Sequence, residues 1–163
     1  MKSGSIDIPF QIFPDFQSLN PADRLLLEAA ARATADAYAP YSKFRVGVAV
    51  RLSNGNILTG SNQENASFPA GICAERVVLS AVSAGFPGIA VTDMALTYIN
   101  ESGTGDRPIS PCGICRQTLA EYEQRFDRSI RLILGGVSGE IFIVSRATDL
   151  LPFAFSSQEL KQH

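Results

Sequence analysis

The sequence predicts an α/β fold: a mixed sheet of roughly five strands covered by helices on both faces. Helical and strand periodicities alternate along the chain in the order helix, hairpin, helix, strand, helix, strand, strand. The hairpin is marked by the tight-turn pair Asn54-Gly55 behind a valine-rich stretch of period two. No repeat, linker or low-complexity tract interrupts the pattern, and 163 residues suffice for one domain with a substantial core.

Residues 1–19 carry Pro9 and Pro14 and no sustained period, so an irregular arm is expected there, with a single domain over 20–163. Asn20-Pro21 reads as a helix N-cap followed by proline at the first helical position. Leu26, Ala30, Ala33 and Ala37 then keep helical spacing until Pro40 stops the helix. Over 44–52 the period changes to two, with Val46, Val48 and Val50 on one face, and 57–60 reads as the returning strand. The stretch 62–71 is a polar loop. A helix is expected over 73–84, with Val77, Val78, Ala81 and Val82 inward and Gly85 as its stop. A strand lies within 89–99. Ser110-Pro111 opens a further helix in which Cys112, Cys115, Leu119, Tyr122 and Phe126 keep helical spacing. Strands at 130–134 and 140–144 close the chain. The strand, helix and strand between 89 and 134 suit a right-handed parallel crossover.

Composition excludes several classes of function. A net charge of −2, with lysine only at positions 2, 43 and 161, offers no general attraction to nucleic acid or an anionic membrane. No stretch approaches the roughly 18 consecutive apolar residues of a membrane span. No signal peptide is evident, and an odd count of three cysteines does not suit a secreted disulfide framework. A cytoplasmic protein acting on a small neutral molecule is expected.

The chemistry concentrates in Cys73-Ala74-Glu75-Arg76 and Pro111-Cys112-Gly113-Ile114-Cys115, which hold every cysteine of the chain, while the only histidine is His163. A soft metal would therefore be held by Cys73, Cys112 and Cys115, leaving one position of a tetrahedral zinc open, as catalytic sites require. Cys112 and Cys115 share a helix face, and helix N-termini favour the thiolate form. Glu75 places a carboxylate able to move protons beside the open position. Arg76 and Arg116 are candidates to offset the charge of three thiolates, Arg76 being the better placed. Three unrelated buried thiols, a redox pair and a structural zinc closed by His163 are the competing readings.

These elements resemble those of the cytidine deaminase family, in its short three-cysteine form. Asn62-Gln63-Glu64-Asn65-Ala66-Ser67 resembles the family's ribose-binding segment, Tyr41-Ser42-Lys43-Phe44 its early pocket segment, and residues 150–155 its C-terminal signature. The resemblance runs from about Tyr38 to Phe155. It implies a three-layer α/β/α sandwich, one zinc per chain on Cys73, Cys112 and Cys115, and hydrolytic removal of the C4 amino group of cytidine or deoxycytidine in pyrimidine salvage. By the same resemblance Glu75 carries the protons, the Ala74 N–H holds the pyrimidine O2, and the Ser110 carbonyl receives the departing amine. Asn62 and Glu64 grip the ribose, Phe44 packs on the base, and Arg76 tunes the thiolates. A homotetramer with pockets at subunit contacts is implied, Phe155 completing a neighbour's pocket. Phe68 departs from the tyrosine many relatives carry. A deaminase of another aminopyrimidine or aminopurine (the blasticidin type included), a nucleic-acid editing enzyme, and a zinc-stabilised binding module without turnover are the alternatives.

Overall fold

The structure is a computed structural model that describes residues 1–160. Its elements are β1 (Phe10–Phe13), α1 (Pro21–Ala33), β2 (Phe44–Leu52), β3 (Ile57–Ser61), α2 (Ala74–Gly85), β4 (Val91–Asn100), α3 (Gly113–Phe126), β5 (Arg131–Leu134) and β6 (Ile141–Val144). Among the described residues six strands form one sheet in the order β1-β6-β5-β4-β2-β3, in which β4 and β5 run parallel and the other neighbours antiparallel.

Side-chain alternation divides the core into two layers. Val48, Val50, Leu52, Met94, Leu96, Leu132 and Leu134 pack with Val78, Leu79 and Val82 of α2 and Leu119 of α3. Their neighbours Ala49, Ala95, Ile133 and Ile143 point through the opposite face onto Leu26, Leu27, Ala29 and Ala30 of α1. The sheet thus lies between α1 on one side and α2 with α3 on the other, a three-layer α/β/α sandwich. The small residues of α1 let it approach closely: a Cβ on Gly47 in β2 would lie 2.0 Å from the Ala30 carbonyl oxygen.

Helix boundaries follow local chemistry. The Asn20 side chain accepts from the Asp23 amide, and Pro21 occupies the first turn. α1 ends at Ala33 and tightens into a 3-10 turn, Thr34–Asp36, short of the stop expected at Pro40. The Thr34 hydroxyl, donating back to the Ala31 carbonyl, accompanies that tightening.

The arm is the main departure from expectation. Residues 10–13 form β1, which pairs antiparallel with β6, so the sheet has six strands where five were expected. Four residues between Pro9 and Pro14 are too short to display a period. An edge strand with one partner also tolerates flanking prolines, which lack an N–H. Phe10 reaches Phe142 at a ring separation of 5.1 Å, which fastens the strand.

At the end of the sheet where β4 begins, Arg131 forms a fork with Asp23, Nη1 to Oδ1 at 2.7 Å and Nη2 to Oδ2 at 2.6 Å. Asp93 bridges Arg131 to Arg51. Burial pushes the Asp23 carboxyl upward, but the hydrogen bonds and charge of Arg131, with Asn20 and Arg51, outweigh it and leave the pKa lowered. A carboxyl lowered in the folded state stabilises above its unfolded value, about 3.9, and that stability is lost as pH falls through the folded value. The melting temperature of Asp23→Asn is therefore expected to fall less steeply than that of the native chain below pH 4. Metal release on acidification is common to both proteins and cancels in the difference. Equal slopes would remove Asp23 from the account.

Candidate metal centre

Both cysteine patterns sit where helices begin. Cys73 is the N-cap of α2 and Cys112 the N-cap of α3, both in extended backbone and neither using its side chain to cap the helix. Their sulfurs are thus free to turn toward each other. Cys112 Sγ lies 3.7 Å from Cys73 Sγ and 3.4 Å from Cys115 Sγ. All three sulfurs fall within 4.8 Å of one another, although 39 residues separate Cys73 from Cys112. Cys115 is fully buried, Cys73 half-buried and Cys112 exposed.

Four tetrahedral zinc–sulfur bonds of about 2.3 Å place neighbouring sulfurs about 3.8 Å apart. The two separations from Cys112 come within a few tenths of an ångström of that spacing, and the donors are the soft thiols zinc prefers, so the residues fit the metal. The protons agree. Hydrogen bonding from Cys115, helped by Cys112 and the charge of Arg76, outweighs burial and brings the Cys73 thiol from 9.0 down to about 6. The Cys115 thiol is pushed far up by its hydrogen bond to Cys73, then by burial and the charge of Glu75. Cys73 therefore favours the thiolate that a metal ion takes as ligand, while the Cys115 proton is one that a bound cation would displace. His163 lies outside the described residues, so the reading that it closes a structural site cannot be placed.

Glu75 stands in the first turn of α2 and is only 5% exposed. Burial raises its carboxyl above the ordinary value and the charge of Cys73 adds to this, while its own amide and Cys115 oppose the shift. Ala74 is fully buried at the first helical position, where a backbone N–H has no intrahelical acceptor. α2 approaches the sheet this closely because β3 presents Gly60, where a Cβ would lie 2.9 Å from the Ala74 carbonyl and from Val78.

The other expected residues surround this centre unevenly. Asn62 continues the line of β3 and fastens to β2: its Oδ1 accepts from the Val46 amide at 2.8 Å, and its Nδ2 donates to the Phe44 carbonyl at 3.0 Å. Glu64 accepts from the Tyr41 and Ser42 amides at 2.9 and 3.3 Å. The Ser42 hydroxyl, those amides and the nearby charge of Lys43 hold its carboxyl below the ordinary range despite some burial. Tyr41, Ser42, Glu64, Asn65, Phe68 and Gly71 line a cavity of about 420 Å³. Phe68 meets Tyr41 edge-on at 6.2 Å and is exposed.

Phe44 stacks on Tyr98 at 4.8 Å. Ser110 is exposed immediately before the buried Pro111. Phe155 stands apart, 58% exposed against the flank of α3, where Gln117 Nε2 donates to its carbonyl. Arg76 acts on Cys73 through its charge. Arg116, also a candidate for the sulfurs, instead donates to the carbonyls of Pro111 and Leu150. Sequence reasoning missed that clamp and Gly60; a glycine inside a strand pattern was the available signal for the second.

Residues 21–128 match the family described as the cytidine and deoxycytidylate deaminase zinc-binding region. Among curated relatives, the chain is 34% identical over 138 residues to the cytidine deaminase of Halalkalibacterium halodurans, covering 84% of this chain and 96% of that protein. It is 37% identical over 136 residues to the cytidine deaminase of Sporosarcina psychrophila, covering 83% and 92%. The crystal structure of cytidine deaminase from Burkholderia pseudomallei superposes with a TM-score of 0.68 at 38% identity, over 80% of this chain and 97% of that one.

Proposed function

The chain belongs to the cytidine and deoxycytidylate deaminase zinc-binding family, and from that premise we propose that it hydrolyses cytidine and deoxycytidine to uridine and deoxyuridine, releasing ammonia. The observation that carries this reading is the group of three thiols beside a buried carboxyl. Zinc, one per chain on Cys73, Cys112 and Cys115, supplies Lewis acidity toward the attacking water when bound. Glu75 takes a proton from that water and delivers it to N3 of the ring. It then takes the remaining proton from the hydroxyl now bonded to C4 and gives it to the amino group, so that the C–N bond breaks to ammonia and the oxygen stays on the ring as the C4 carbonyl.

The remaining residues bind and orient. The Ala74 N–H meets the pyrimidine O2, and the Ser110 carbonyl accepts from the departing amine. Phe44 packs on the base from its stack with Tyr98. Glu64 and Asn62 grip the ribose; Asn62 does so with an amide already braced on β2, which fixes its direction. Arg76 offsets the thiolate charge. The 420 Å³ cavity carries the Glu64 carboxylate and, among the described residues, neither lysine nor arginine. With a carboxylate in its lining and Lys43 beside it rather than in it, the cavity offers a 5′-phosphate no lining cation, which favours a nucleoside over a nucleotide. The low basic charge and scattered arginines also speak against a nucleic-acid partner.

The protein works as a homotetramer with pockets at subunit contacts. Supporting this are Phe68, Ile114, Phe153 and Phe155, which are 77%, 63%, 95% and 58% exposed, more apolar surface than one copy conceals. Phe155 reaches a neighbour's pocket in that assembly. A cytoplasmic role in pyrimidine salvage follows from the same resemblance, and no described helix is long and apolar enough to cross a membrane.

The test is direct. Purified protein is expected to contain about one zinc per chain and to convert cytidine and deoxycytidine with matching release of ammonia. Removing zinc with a chelator should abolish turnover, and restoring it should return activity. Active protein without zinc, or zinc protein acting only on an analogue such as blasticidin, would displace the reading.

A further inference from the structure

We propose that Arg116 is a positioning residue for the Cys112 thiol, clamping the metal-binding turn to the C-terminal segment 147–150. The proposal rests on the reading of Cys73, Cys112 and Cys115 as zinc ligands. Arg116 lies in the opening turns of α3, one residue beyond Cys115. Its main-chain N–H donates to the Cys112 carbonyl at 2.9 Å. Its Nε donates to the preceding carbonyl, that of Pro111, at 2.8 Å. One residue therefore holds two successive carbonyls on either side of the Cys112 N–Cα bond.

An N-cap residue ordinarily fixes its own backbone by bonding its side chain to the helix. Cys112 has no such bond, because its sulfur faces the other thiols. Arg116 supplies the missing restraint from outside. The second arm of the guanidinium sets the angle: Nη1 donates to the Leu150 carbonyl at 3.1 Å, at the end of the 3-10 turn Ala147–Leu150.

That far anchor is itself fixed. Glu123, 7% exposed, accepts at Oε1 from the amides of Ile130 and Ala147 at 2.6 and 2.9 Å, and at Oε2 from Thr148 at 3.2 Å. Arg116 and Glu123 are seven residues apart, about 10 Å along the helix, so segment 147–150 is tied to α3 near both ends. Both of these guanidinium hydrogen bonds of Arg116 go to neutral carbonyls, and among the arginines it is Arg76 whose charge acts on Cys73. Arg116 thus acts on the centre through geometry.

Arg116→Lys separates geometry from charge, since lysine keeps the charge but lacks the planar fork. It is expected to weaken zinc binding about 10- to 100-fold, measured by competition with a chelator. In cobalt-substituted protein the thiolate charge-transfer and d–d bands should shift, and kcat for cytidine should fall while KM holds. Arg131→Lys is the matched control: it breaks a fork at the opposite end of the sheet and should lower the melting temperature without changing zinc affinity. Should Arg116→Lys yield too little folded protein, Glu123→Gln weakens the far anchor and should shift zinc affinity in the same direction. Native zinc affinity and cobalt spectrum in the variant, or an equal zinc loss in Arg131→Lys, would overturn the clamp while leaving deamination intact. A native chain that binds no zinc would overturn the ligand reading itself.

Discussion

Glu75→Gln is expected to slow deamination about 10²- to 10⁴-fold while zinc and fold persist. Glutamine keeps the shape of the side chain and an oxygen able to accept from its own amide, so α2 should start as before. What it loses is the ability to take a proton and return it. Only 5% of Glu75 is exposed, so bulk water has little access to replace that relay. Turnover, zinc content and melting temperature measured on one preparation decide the matter. Activity within tenfold of the native chain would assign Glu75 to structure. Lost zinc alongside lost activity would instead mean that the carboxylate supports the thiols, to which its charge already couples.

Much of this site was legible because its chemistry is local. Cys73, Glu75, Cys112 and Cys115 are scarce residue types at fixed spacing near helix starts, and helix starts are written in neighbouring residues. The parallel β4-α3-β5 unit was equally legible, since hydrophobic period and length define it. What failed depends on partners distant in sequence. β1 exists because β6 offers an edge and Phe142 a ring, neither of which residues 10–13 could announce. Asn62 was visible as a polar loop residue, but the two β2 backbone groups it joins lie 16 and 18 positions earlier. Arg116 was legible as a charge beside a cysteine, and that drew attention to the sulfurs. Its actual partners, Pro111 and Leu150, are carbonyls that every sequence contains.

Gly60 belongs to the same class and gives the second large effect. Gly60→Ala should cost about 1–3 kcal/mol of stability and weaken zinc binding at least about tenfold, the lower end of what disturbing a ligand's support costs. The added Cβ would stand 2.9 Å from the Ala74 carbonyl oxygen, the Val78 amide nitrogen and the Val78 Cβ. Two of these are helix backbone and the third is bonded directly to it, so none can rotate aside. α2 must therefore move off β3 by several tenths of an ångström in a core that compresses poorly.

Cys73 immediately precedes Ala74 and would travel with it, whereas Cys112 and Cys115 are held by α3 and would stay. The displacement falls on the sulfur separations that now fit one metal ion. Gly85→Ala provides the control at the other end of the same helix. A Cβ there meets nothing within 4 Å, so zinc affinity should be unchanged. Melting curves and chelator competition on the two variants separate the outcomes. If Gly60→Ala holds zinc as tightly as Gly85→Ala, the thiol spacing is set by α3 and the loop before Cys73, and the close seat of α2 on β3 serves stability alone.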